Sequence, residues 1–158
     1  MPKGRARKNF FKDTIAREFF NAMAGPLIGK GIREVYAHKQ RPDLVIKIDG
    51  WENCLSQNVA EWLMWNELQH TEAGKWLAPC VSLSSFGSVL IQKRTTPIQH
   101  GKYPEKVPTF LCDFKYQNFG MYKGRFVCHD YGLSRATTLG ASANKLAKVD
   151  WWDAEGEL

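Results

Sequence analysis

Residues 110–132, FLCDFKYQNFGMYKGRFVCHDYG, constrain the fold of this chain more than any other stretch. Lys123-Gly124 is a tight-turn pair between two short strand-like pieces, MY and RFVCH, so the segment predicts a β-hairpin. Asp113, Lys115 and Asn118, spaced D-x-K-x-x-N, lead into it, and Asp130-Tyr131-Gly132 follows it. A hairpin returns its end beside its start. Polar groups from both ends therefore converge on one place. Taken singly, each has a plainer role: Asp113 and Asn118 suit turn caps, and Asp130 an ordinary loop aspartate.

The upstream chain supplies further elements in order. LIGKGIREVY carries Gly29 and Gly31 ahead of Val35 and Tyr36, RPDL is a turn, and VIKI is a short buried strand bearing Lys47. Leu27 to Ile48 thus reads as β structure. Glycines let backbone N–H groups approach phosphates, and a lysine on a rigid strand offers them a point charge. A lone G-x-G is most often a plain turn, and a strand lysine also serves as an edge gatekeeper. Residues 51–70 predict a helix capped by Asn53 or Ser56, with Leu55, Val59, Trp62, Leu63 and Asn66 along one face and Leu68 close by. Glu61 lies mid-helix, and Glu67 is a second candidate carboxylate. Gly74 closes this region. Val81–Leu83 and Val89–Ile91 form a second hairpin around Ser84–Ser88. Residues 95–108, rich in Pro, Gly and polar groups, read as a loop.

In this order (G-x-G, V-I-K, a helix glutamate, an apolar strand, D-x-K-x-x-N, D-Y-G) the elements resemble the protein-kinase fold. The resemblance spans residues 27–132. It implies an α+β chain with a kinase-like small lobe, an antiparallel sheet plus one long helix, over residues 27–94. A reduced catalytic and metal-binding hairpin over 109–132 stands in place of a full large lobe, all within one domain at 10–149. It also implies ATP and Mg²⁺. Gly29, Gly31 and Val35 would cover the nucleotide, and Lys47, fixed by Glu61, would hold its phosphates. Asn118 and Asp130 would bind the metal, Asp113 would align an acceptor hydroxyl, and Lys115 would counter charge on the transferring group.

Three features depart from the family pattern. Glu34 stands where its third glycine falls, and Leu111-Cys112 replaces the His-Arg before the loop aspartate. Only eighteen residues separate Arg94 from Asp113, and 26 follow Gly132 without an A-P-E segment, so no usual large helical lobe is expected. The chain thereby resembles the minimal kinases of phages and bacterial effectors, which phosphorylate host protein Ser/Thr and often need an activating partner. The alternative is a non-catalytic pseudokinase that binds and inhibits or scaffolds a partner protein, with Trp51, Trp151 and Trp152 as anchors.

Composition narrows the setting. The chain has 158 residues, 44% of them hydrophobic, enough for one domain with a real core. Its four cysteines show no C-x-x-C pair, so reduced thiols are expected rather than a zinc site. No apolar run reaches membrane-span length and no signal segment follows the basic start, so a cytoplasmic protein is expected, in a host cytoplasm if phage-borne. The net charge of +6 is uneven. Lys3, Arg5, Arg7 and Lys8 mark a basic arm at 1–9, while Asp150, Asp153, Glu155 and Glu157 mark an acidic tail at 150–158. The arm suits nucleic acid or an acidic partner, but without aromatics before Phe10 it is weak evidence for either, and nucleic acid is not expected as the main partner. Asp13 would cap a helix through Ile15, Phe19 and Met23, ended by Gly25-Pro26. Residues 133–149 read as a flexible segment or short helix.

Overall fold

The computed structural model describes residues 20–49, 56–85, 87–133 and 143–154. Its main sheet has five antiparallel strands: β1 Ala24–Lys30, β2 Arg33–His38, β3 Leu44–Asp49, β4 Cys80–Leu83 and β5 Val89–Lys93. They lie in the order β1-β2-β3-β5-β4. Helix α1, Gln57–Leu68, connects β3 to β4, so the chain is α+β with a mostly antiparallel sheet. Two small antiparallel pairs complete it. One joins β6 Lys106–Pro108 to β9 Leu146–Lys148; the other is the β7 Phe119–Tyr122 and β8 Arg125–Cys128 hairpin. Among the described residues, no helix is long and apolar enough to cross a membrane.

The central strand β3 is buried at Leu44, Val45, Ile46 and Lys47, which its β-branched run favours. In the β2–β3 ladder Arg33 lies opposite Asp49 and Val35 opposite Lys47. Residues directly opposite share a face, so these four point the same way and Glu34 points to the other. The Glu34 carboxylate accepts from the Tyr36 hydroxyl at 2.7 Å.

Ser56 caps α1, its Oγ accepting from the Val59 amide at 3.3 Å. The inner face of α1 differs from the expected apolar stripe. It buries Gln57, Asn58, Glu61, Met64 and Leu68, while Leu63 is 62% exposed. Buried cations on the sheet demand polar partners from this helix, and that demand overrides hydrophobic periodicity. Beyond α1 the chain folds back tightly: a Cβ on Gly74 would stand 2.2 Å from the Leu68 carbonyl oxygen.

The β7–β8 hairpin turns at Lys123 (φ 48°) and Gly124 (φ 75°), the pairing that matches strand twist. Its far end is tied to the sheet lobe, because the Ala78 amide donates to the Cys128 carbonyl at 2.8 Å. Leu77, Leu90, Phe110, Phe119 and Tyr131 belong to one core, so hairpin and sheet share their packing.

Two expectations change downstream. Residues 146–148 form strand β9 rather than a flexible segment or helix, paired with β6 at the end of the expected loop. Trp151 packs into the domain, its ring 4.9 Å from Phe119 and 5.0 Å from Tyr103, and its Nε1 donates to the Pro104 carbonyl at 2.9 Å. The basic arm, Trp51 and most of the helix expected from Asp13 lie outside the described residues; 20–23 are helical.

Candidate active site

Lys47 projects from the middle of β3, and Glu61 from the second turn of α1. The ammonium sits 3.0 Å from Glu61 Oε2 and 3.4 Å from Oε1, with both residues almost fully buried. Lys47 also donates to the His129 carbonyl. Glu61 Oε1 accepts from the Tyr131 amide at 2.9 Å. Strand, helix and the D-Y-G segment thus meet on one carboxylate. Burial alone pushes the Glu61 carboxyl up, but the Lys47 and Arg33 charges overcome it and hold the group down to about 2.

Arg33, at the first position of β2, enters the same cluster. Its guanidinium donates to Glu61 Oε1 at 2.7 Å, Asn58 Oδ1 at 3.2 Å and Asp130 Oδ1 at 2.5 Å. Burial works against the Arg33 charge, and Glu61, Asp130 and Asp49 more than restore it. Asn58 braces the cluster from below, its Nδ2 donating to the Lys47 and Ser88 carbonyls at 3.1 Å each.

The hairpin places the remaining candidates. Asp113 has φ 55°, the left-handed region, which among non-glycine residues Asp and Asn tolerate best. Asn118 braces it there: its Nδ2 donates to the Asp113 carbonyl at 2.9 Å and to Oδ2 at 3.0 Å. The His129 amide donates to the Asn118 carbonyl at 2.9 Å, which sets Asn118 beside the residue preceding Asp130. Lys115 points toward the C-terminal segment, its ammonium 4.9 Å from the Trp152 ring centroid. Gly29 lies opposite Val35 in the β1–β2 ladder, and the Gly31 amide donates to the Arg33 carbonyl at 2.9 Å. Nothing lies within 4 Å of where a Gly31 Cβ would stand, so the turn carries open space.

Sequence reasoning missed Arg33, Asn58 and His129. His129 Nε2–H donates to the Gln117 carbonyl at 2.6 Å, so the neutral ring accepts from Thr95 Oγ1 at Nδ1, 2.7 Å away. Burial, aided by the Lys47 ammonium, pulls His129 down to about 4 and keeps it neutral. It ties the loop carrying Asn118 to Thr95 just past β5, while the Cys112 thiol donates to the Leu133 carbonyl at 2.8 Å.

Among the described residues no three His, Cys, Asp or Glu side chains gather to hold a metal. The two residues expected to bind metal offer oxygens: the Asp130 carboxylate, 42% exposed, and the Asn118 amide, whose nitrogen is committed to Asp113. Such a sparse oxygen set suits Mg²⁺, which takes most ligands from water and phosphate. A groove of about 530 Å³ lined by Pro97, Ile98, Met121 and Phe126 shares none of these residues.

No protein-family model matches the chain, and no curated protein or solved structure matches it.

Proposed function

We propose that this chain is a minimal kinase-like domain that binds ATP with Mg²⁺ and transfers phosphoryl groups to protein Ser/Thr. The observation that carries this reading is the buried Lys47–Glu61 pair, 3.0 Å apart, joined to the Tyr131 amide. Phosphoryl transfer needs little covalent help from a protein, so positioning and electrostatics do the work. Lys47, oriented by Glu61, would hold the α- and β-phosphates beneath the Gly29–Gly31 turn and Val35. Asp130 and Asn118 would hold Mg²⁺, which neutralises phosphate charge when bound. Asp113 would orient the acceptor hydroxyl, and Lys115 would leave Trp152 to face the transferring group. The five-stranded sheet order and the helix following β3 support the kinase-like small lobe of this reading. A host protein as substrate or activating partner goes with the same proposal.

The second reading is a non-catalytic pseudokinase that holds a partner protein. Arg33 on Asp130 and Trp152 over Lys115 favour it, since both candidate groups are already engaged.

A thermal-shift titration with ATP and Mg²⁺, run beside transfer of labelled γ-phosphate to a generic protein substrate, tests both. A raised melting temperature with transfer supports the kinase. A shift without transfer supports the pseudokinase. No shift in a folded protein overturns nucleotide binding altogether.

A further inference from the structure

Among the described residues, the Asp130 carboxylate is bonded to one side chain, Arg33, and remains 42% exposed on its other side. Glu61 has partners besides Arg33. Lys47 lies against its Oε2 at 3.0 Å, and the Tyr131 amide against its Oε1 at 2.9 Å. Arg33 is therefore a buried cation whose outward partner is a carboxylate open to solvent. It also stands directly after the turn at Gly31, where a Cβ would meet nothing, and on the same sheet face as Val35 and Lys47.

We propose that Arg33 is a phosphate-binding residue of this site, held in reserve by Asp130 and released when that carboxylate is taken by a divalent cation. The inference rests on the nucleotide-binding reading and deepens it by naming a second phosphate-binding cation beside Lys47. A guanidinium presents a planar fork that fits carboxylate and phosphate oxygens alike, so one geometry serves both partners. With Asp130 charged and metal-free, the carboxylate competes with phosphate for Arg33 and repels the incoming anion. Neutralising Asp130 removes both penalties. A carboxylate acting only as a metal ligand predicts a different pattern, since its loss weakens nucleotide binding in Mg²⁺ and leaves it unchanged in EDTA.

The test measures ATP affinity by calorimetry at fixed ionic strength, in EDTA and in Mg²⁺, on the full chain. The forms are wild type, Asp130→Asn, and Asp130→Asn with Arg33→Met; circular dichroism and melting confirm that each is folded. Asp130→Asn keeps the side-chain shape at a half-exposed position and so spares the fold. In EDTA, Asp130→Asn is expected to bind ATP about ten-fold tighter than wild type, and adding Arg33→Met to remove that gain. Wild type that binds ATP in Mg²⁺, while Asp130→Asn gains nothing in EDTA, overturns the Arg33 assignment and leaves the kinase-like reading standing. A gain that survives Arg33→Met also overturns it. ATP binding by no folded form overturns both.

Discussion

Lys47 on β3 and Glu61 on α1 meet at 3.0 Å with neither side chain more than 3% exposed. A pair so dry is held by mutual need, because each charge alone would be stranded in a medium that cannot solvate it. Helix α1 is thereby docked to the sheet through its polar face.

Breaking the pair is expected to cost stability as well as binding. Lys47→Met leaves Glu61 with Arg33 and the Tyr131 amide. The loss should be about 3 kcal/mol, read as a lower urea midpoint, and the ATP-dependent thermal shift should vanish. A change below about 1 kcal/mol would place the pair in the exposed class and undo the account of α1 docking.

Acid should weaken the fold in two windows. His129 falls from its usual 6.5 to about 4, mainly through burial, so the unfolded chain takes up this proton first. Its stabilisation is complete above pH 6.5 and is lost as pH drops toward 4. For a half-buried ring this amounts to about 2 kcal/mol. Glu61, held at about 2 instead of 4.5, stabilises fully above pH 4.5 and less as pH falls through 2. Urea midpoints at pH 7, 5 and 3 should decline in both intervals. His129→Gln should flatten the upper interval and reduce the lower one only by the part of the His129 window below pH 5.

The elements that carry their own signal were legible from the residues alone. VIKI reads as a buried strand, Lys123-Gly124 as a hairpin turn, and Ser56 as a helix cap. Lys47 and Glu61 were named from their order along the chain. Arg33 was not, because nothing local separates a buried arginine at a strand start from a solvated one. It becomes visible only once the β2–β3 register puts it on the face of Lys47. The Leu63 stripe failed for a related reason: the helix face that docks serves charges, so hydrophobic periodicity points the wrong way. Strand β9 depends on a partner nearly forty residues away in sequence, and LAK has no pattern of its own.

The two C-terminal tryptophans should separate sharply. Trp151 fills the aromatic cluster around Phe119, Phe126 and Tyr103 and satisfies the Pro104 carbonyl. Trp151→Ala should cost about 3 kcal/mol by cavity formation. Trp152 is 45% exposed and offers its ring to Lys115. Trp152→Ala should cost under about 1 kcal/mol, the scale of an exposed cation–π contact. Denaturant unfolding of the two variants checks the contrast, and equal losses would contradict it.

Asp113 permits a substitution that separates chemistry from fold. Its φ of 55° favours Asn as strongly as Asp, since both tolerate the left-handed region. In Asp113→Asn the amide oxygen still accepts from Asn118, so stability should stay within about 0.5 kcal/mol of wild type. ATP affinity should also stay unchanged, because the residue is assigned to the acceptor hydroxyl and not to the nucleotide. The negative charge is gone, however, and transfer to protein should fall at least about a hundred-fold. Asp113→Ala forfeits the Asn118 bond to Oδ2 and the left-handed tolerance together, while the bond to the carbonyl stays, which should cost about 1–2 kcal/mol. Transfer that persists in Asp113→Asn would reduce Asp113 to a turn residue and move the hydroxyl-orienting role elsewhere in the hairpin.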